Sequence, residues 1–306
     1  MTVLGLDTSN YTTSIAAFGP DIVKNVSRLL PVKEGQLGLR QSDALFHHVQ
    51  QLPDLARELF SGIDRKDLTA IGVSTRPRAV EGSYMPCFLA GESFASVLSD
   101  ALDLPLHRVS HQQGHIAAAA WSAGHMELLD EPHLAWHLSG GTTELLLVEP
   151  EGRSVRAVRI GGTQDISAGQ LIDRCGKLLG LAFPAGRAVD ALSRGSDEEA
   201  HFSVKLRGLE FSLSGVQNKV ESYRVSGASP EQTARYTLLS VIEAVLTTTK
   251  AACAAYPGLK VIFSGGVASN SLLRERAEAF DPIFAAPEYS TDNALGVAVL
   301  AARMEE

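Results

Sequence analysis

Cysteine is scarce in this chain and poorly placed for cross-linking. Its three cysteines, Cys87, Cys175 and Cys253, are odd in number and far apart, with no CxxC pair. That pattern argues against a disulfide framework and fits buried thiols in a reducing compartment. Surplus positive charge is lacking too. Against 35 Asp and Glu stand 27 Lys and Arg, for a net charge of −8 and a pI near 5.6. Bulk charge therefore does not draw the chain to nucleic acid or to anionic lipid, although a local basic groove stays open. No wholly apolar run reaches about 18 residues, and the first residues enter a strand pattern with no basic leader. The expectation is a soluble cytoplasmic protein with no membrane span. Three missing motifs narrow the chemistry further. Without GK[ST] there is no Walker A loop, and without GxGxxG no Rossmann fingerprint. HExxH is also absent, because Gln112 follows the first histidine of the pair described below. An amide is no base at any relevant pH, which argues against zinc-protease chemistry.

What is present is material for a large folded core: 306 residues, 45% hydrophobic and 20% charged. That length allows one large domain or two of ordinary size. Residues 3–18 read VLGLDTSNYTTSIAAF, two apolar strands (3–7 and 13–18) joined by a turn of small polar side chains. Apolar spacing predicts a helix over 42–60, divided or kinked at Pro53, then a strand at 70–74, a packed helix within 82–102 and a strand at 106–109. The second half repeats this grammar. Strands at 132–138 and 143–148 flank SGGTT, helices follow at 165–181, 187–193 and 231–255, a strand at 260–263 runs into SGGVASN, and a helix closes the chain over 291–304. The fold class expected is therefore α/β with two similar halves, each a mixed sheet flanked by helices. The halves are set at 1–105 and 106–306, with the last helix free to pack back on the first half. The weakest joins are 104–108 and 193–200.

The polar turns share a design. SGGTT (139–143) and SGGVASN (264–270) each leave an apolar strand through Ser-Gly-Gly into hydroxyl or amide side chains. Paired glycines let backbone N–H groups approach an anion, so Ser9, Thr12, Thr13, Gly265 and Gly266 are phosphate-turn candidates. Glycine pairs also serve as plain turn residues, but three such turns after three strands favour nucleotide binding.

SHQQGHIAAAA, residues 110–120, sets His111 and His115 four apart, on one face of a helix. This is the spacing of two ligands to one metal ion, and equally of two histidines satisfied within the fold.

Together these stretches resemble the TsaD (Gcp) family of tRNA threonylcarbamoyladenosine enzymes. The matching pieces are LGLDTSNYTTS, VSHQQGHIAAA, LSGGTTEL, GQLIDRCGKLLGL with FPAG, FSLSGVQ, FSGGVASNSLLR and STDNALG, in family order along almost the whole chain. The resemblance implies a two-lobed actin-like (ASKHA) fold with lobes of RNase H-like type and an adenine nucleotide, ATP or threonylcarbamoyl-AMP, as ligand. It implies one divalent ion, iron or zinc, held by His111, His115 and Asp292. It places substrate or nucleotide binding at His137, Leu138, Ser139, Gly140, Gly141, Asp173, Gly186, Asp190 and Asn270. The implied activity is acyl transfer, moving threonylcarbamoyl from its adenylate to N6 of adenosine 37 in tRNA. The implied partners are a TsaB-like paralogue and a TsaE-like ATPase, with no membrane.

The chain departs from the family at several points. The acidic pair of the first turn, ETSCDET in the family, is replaced by Tyr11 and Thr12. GPG becomes Arg76-Pro77-Arg78, the glutamate between the histidines becomes Gln113, and SGGHT becomes SGGTT. These changes suggest a divergent paralogue. Alternatives to the tRNA transferase are a non-catalytic nucleotide-binding partner of a TsaD-like enzyme, or a carbamoyl transferase or hydrolase acting on a small molecule. A metalloendopeptidase ranks last.

Overall fold

The opening apolar run folds as a hairpin whose first strand is covered on both faces. Every residue of β1 (Thr2–Thr8) is buried, which is why it reads as almost continuously apolar. It pairs antiparallel with β2 (Thr12–Gly19), from Val3 opposite Phe18 to Thr8 opposite Thr13. The structure, a computed structural model, describes residues 1–9, 11–31, 39–290 and 293–306. Beyond β2 lies β3 (Ile22–Leu29), an antiparallel edge strand absent from the sequence reading. On the other side β4 (Leu68–Arg76) runs parallel to β1, and β5 (Leu106–Ser110) parallel to β4. The sheet order is β3-β2-β1-β4-β5.

Parity along the strands decides which helix covers which face. Leu4, Leu6, Ile71 and Val73 form one core with Leu52, Leu55 and Leu59 of α1 (Gln41–Phe60) and Ala90 and Ala95 of α2 (Phe88–Leu102). Pro53 does not divide α1, which runs unbroken from Gln41 to Phe60. Val3 and Ala70 point the other way, onto Ala301 and Ala302 of α9 (Leu295–Met304). That face carries glycines because the helix comes very close. A β-carbon on Gly5 would lie 2.3 Å from the Ala294 carbonyl oxygen, and one on Gly72 2.8 Å from the Val297 carbonyl oxygen. The same helix packs on α3 (His111–Ser122).

The second sheet is built by the same rule. β6 (His133–Leu138) and β7 (Thr143–Glu151) form an antiparallel hairpin around SGGTT, followed by β8 (Ser154–Thr163). After α4 (Ala168–Leu178), α5 (Gly186–Ser193), β9 (Glu210–Phe211), α6 (Ser214–Val225) and α7 (Pro230–Ala255) comes β10 (Val261–Ser264), parallel to β6. α8 (Ser271–Ala277) then leads to β11 (Ile283–Phe284). The order is β11-β10-β6-β7-β8-β9. Counted from its own first strand, each sheet reads 3-2-1-4-5, and the second adds β9 at its edge. The expected repetition of one α/β plan is therefore present.

Among the described residues one helix, α7, is long and apolar enough to cross a membrane by length and composition, an 18-residue stretch of it reaching a mean hydropathy of 1.4. Glu231, Arg235, Glu243 and Lys250 interrupt it, so it holds no wholly apolar run of about 18 residues. α7 packs Leu238, Val241, Ile242 and Val245 into a core with Trp136 and Phe263. Its buried Thr233, Thr237, Thr248 and Thr249 hydroxyls each bond a carbonyl one turn back, so none of the four is left bare.

The described residues group into two compact units, Met1–Glu131 with Glu149–Ala157 and Thr291–Glu306, and Pro132–Val148 with Val158–Ser290. The division expected at residue 105/106 differs from this grouping. Because α3 packs on α9, the histidine segment belongs to the first unit, and neither 104–108 nor 193–200 is a break between units.

Candidate functional site

The histidine helix starts with a strong local signal. Ser110 caps α3: its Oγ accepts the Gln113 N–H at 3.2 Å, and Oε1 of Gln113 accepts the Ser110 N–H at 2.7 Å. The amide's other end donates to the Val155 carbonyl at 2.7 Å and to Ser154 Oγ at 3.1 Å. Gln113 thus uses both a donor and an acceptor, which explains an amide where the family has a carboxylate: glutamate could not donate to Val155.

His111 and His115 follow at the spacing that brings their rings together. The ring centroids are 4.3 Å apart and the two Nε2 atoms 2.9 Å apart. Two nitrogens bound at right angles to one ion, each about 2.1 Å away, also lie about 3 Å apart. The pair therefore fits two adjacent ligand positions of a single divalent ion. On the far side of the His111 ring, Nδ1 lies 2.9 Å from Oδ1 of Asp7, which also accepts the Ser74 hydroxyl at 2.5 Å. Asp7 escaped the sequence reading as a site residue. The available signal was its position as the lone carboxylate inside a buried strand. Among the described residues no third His, Cys, Asp or Glu completes a metal-holding group. Asp292, the expected third ligand, lies outside the described residues. Cys87, also near Asp7, is no nucleophile: burial, then the Asp7 charge, push its thiol up to about 12.

The first polar turn is partly committed to the fold. The Thr13 hydroxyl is shared between Nδ1 of His48 and Oε1 of Gln51, each 2.8 Å away. Nε2 of His48 meets the Ser9 carbonyl at 2.7 Å, and since a carbonyl only accepts, Nε2 carries the proton. Burial holds His48 below the usual imidazole range, so it stays neutral. Thr13 therefore faces inward rather than lining an open cradle. Thr12 is also buried, whereas Tyr11 is exposed. Ser9 is different: its Oγ is buried yet has no hydrogen-bond partner. Asn10 lies outside the described residues.

In the second unit both Ser-Gly-Gly turns leave the same end of neighbouring parallel strands, with Ser264 opposite His137. Gly265 has φ +92°, and a β-carbon there would meet the Leu138 carbonyl oxygen at 2.2 Å, so the fold itself demands glycine. Gly140, Gly141, Gly186 and Gly266 are the reverse case. Added β-carbons there would meet nothing within 4 Å, and none has a positive φ. The chain has no internal need for glycine at these four positions; a ligand lying against the backbone would supply one.

The remaining expected residues frame these turns. Ser139 Oγ accepts the Thr142 N–H at 3.1 Å, and Ser167, which caps α4, donates to the Gly140 carbonyl at 2.7 Å. Asp173 accepts the Ala185 N–H at 2.8 Å, at the start of the α5 turn that presents Gly186. Asp190 and Asn270 meet directly: Asn270 Nδ2 donates to Asp190 Oδ1 at 3.0 Å while its Oδ1 caps α8 through the Leu273 N–H. Ser271 adds its N–H and hydroxyl to the same carboxylate. His137 is half-buried and Leu138 buried. The structure thus gathers Leu138–Gly141, Gly265, Gly266, Asp190 and Asn270 in the second unit. His111 and His115 belong to the first.

Solved structures share this plan at low identity, which speaks to the fold alone. HypF in its phosphate- and nucleotide-bound form aligns with a TM-score of 0.62 at 15% identity, over 100% of this chain and 46% of the HypF chain. This chain therefore spans less than half of HypF. A ROK family glucokinase from Streptomyces griseus, solved with glucose and AMPPNP, aligns at 0.55 and 14% identity over 99% of this chain and 100% of that one. The fold is the actin-like, ASKHA-type α/β class. Sequence narrows this further. The chain is 32% identical to the tRNA N6-adenosine threonylcarbamoyltransferase of Thermus thermophilus, over 100% of this chain and 94% of that protein. Residues 33–299 match the family described as TsaD, tRNA N6-adenosine threonylcarbamoyltransferase, and the chain belongs to that family.

Proposed function

We propose that this chain is a TsaD-type acyltransferase that moves threonylcarbamoyl from threonylcarbamoyl-adenylate to N6 of adenosine 37 of tRNA. It works in the cytoplasm, with a TsaB-like paralogue and a TsaE-like ATPase as partners. The observation that carries the reading is the 2.9 Å approach of the His111 and His115 Nε2 atoms, on the segment that matches the family's histidine motif. A hydrogen bond between the rings has the same length, so the reading rests on this distance together with the matching motif, not on the distance alone.

His111, His115 and Asp292 would hold one divalent ion, iron or zinc. When bound, such an ion supplies a Lewis acid that polarises the carbamoyl carbonyl. The chain's own residues bind and orient the adenylate. Backbone N–H groups at Gly140, Gly141 and Gly266, where a β-carbon would meet only open space, approach its phosphate. The buried, unpartnered Ser9 hydroxyl supports a polar ligand at the first turn. Asp173 and Asp190 retain acceptor capacity for ribose hydroxyls, with Asp190 held in place by Asn270 and Ser271.

The test is expression in cells depleted of their own family enzyme, with threonylcarbamoyladenosine in total tRNA read by mass spectrometry. Wild type restores the nucleoside and His111→Ala does not. If a folded chain that binds metal and nucleotide restores nothing, the transferase reading is lost. That outcome favours the second reading, a non-catalytic nucleotide-binding paralogue, to which Tyr11 and Thr12 in place of the acidic pair already point.

A further inference from the structure

We infer that Asp7 is a positioning residue for the metal, fixing the His111 ring in the tautomer that turns a lone pair on Nε2 toward His115. The inference rests on the metal reading above. Asp7 is the one charged residue of β1 and is fully buried. A buried carboxylate persists where donors surround it. The Ser74 hydroxyl on β4 is one such donor, and Nδ1–H of His111, at 2.9 Å, is another. With the proton on Nδ1, the neutral ring has its lone pair on Nε2, the atom 2.9 Å from Nε2 of His115.

Oδ1 is committed to the opposite nitrogen from the one that would bind the ion, so through this contact Asp7 acts on the metal via His111. Three elements fix the arrangement: β1 supplies the carboxylate, β4 orients it, and α3 begins with the ring it holds. A carboxylate behind a ligating imidazole sets the ring's angle and raises the basicity of the ligating nitrogen.

Two measurements test this. In the metal-free wild type, long-range proton–nitrogen correlation of the imidazoles reads the His111 tautomer directly. The Nδ1–H form is expected, and the Nε2–H form overturns the inference. Zn2+ affinity, measured by chelator competition, falls roughly 10- to 100-fold in Asp7→Asn. Ser74→Ala shifts it in the same direction by a smaller factor, with circular dichroism retained. A residue that only stabilised the fold would lower the melting temperature and leave Zn2+ affinity unchanged; that result overturns the inference and spares the metal reading. A wild-type chain that binds no Zn2+ removes the metal reading, and this inference with it. Should Asp7→Asn fail to fold, Ser74→Ala and the wild-type tautomer carry the test.

Discussion

A β-carbon on Gly296 would lie 1.8 Å from the carbonyl oxygen of Gly114, so the histidine helix and the C-terminal helix touch backbone to backbone. Gly114 stands between His111 and His115, and this contact seats the pair within the first unit. Gly296→Ala should cost at least about 1–3 kcal/mol, the range for overpacking, because only backbone can yield. Gly114→Ala should cost less, since its nearest contact is a Val297 methyl at 3.0 Å that can rotate away. Urea denaturation of both variants checks the ranking. Equal losses would show that the close approach is not what sets the stability here.

The glycines of the second unit give a sharper division. Gly140→Ala and Gly266→Ala should change stability by no more than about 0.5 kcal/mol, as expected of sites without contacts. Both should nevertheless weaken adenine-nucleotide binding about tenfold or more, measured by calorimetry. Gly265→Ala should do the opposite and destabilise the fold, because of its φ of +92° and its 2.2 Å approach to Leu138. Unchanged nucleotide affinity in the first two would remove the phosphate cradle from this account.

How much of this was legible in the sequence depends on the range of the interactions. The hairpins, the capped histidine helix and the Ser-Gly-Gly turns rest on neighbours in the chain, and their patterns are visible there. β3 was hidden because Lys24, Asn25, Ser27 and Arg28 give an edge strand little apolar alternation. The inward aim of Thr13 depends on His48, 35 residues away, and the tie of His111 to Asp7 spans 104. No local pattern encodes such contacts. The return of the last helix to the first unit was anticipated; that residues 106–131 and 149–157 join the same unit rests on contacts distant in sequence.

His48 makes stability pH-dependent with a defined sign. Burial lowers its folded pKa below the 6.5 of an exposed imidazole. Between those two values the unfolded chain binds more protons, so stability is full above about pH 6.5 and falls as pH drops through the window. Denaturation profiles from pH 8 to pH 5 should show this slope in the wild type and a shallower one in His48→Gln. Parallel profiles would mean that His48 titrates normally in the fold.

Gln113→Glu restores the family's carboxylate and should be unfavourable in this chain. It sets an acceptor against the Val155 carbonyl, now 2.7 Å from the amide donor. Leaving such buried groups unpaired costs about 1–3 kcal/mol. A variant as stable as wild type would show that the segment carrying Ser154 and Val155 relaxes freely.

The facing imidazoles are tested most directly by metal content. Purified wild-type chain, loaded with Zn2+ or Fe2+ and desalted, should retain about one ion per chain by elemental analysis, and His115→Ala should lose most of it. A wild-type chain that is folded and still emerges from desalting without metal would contradict the account.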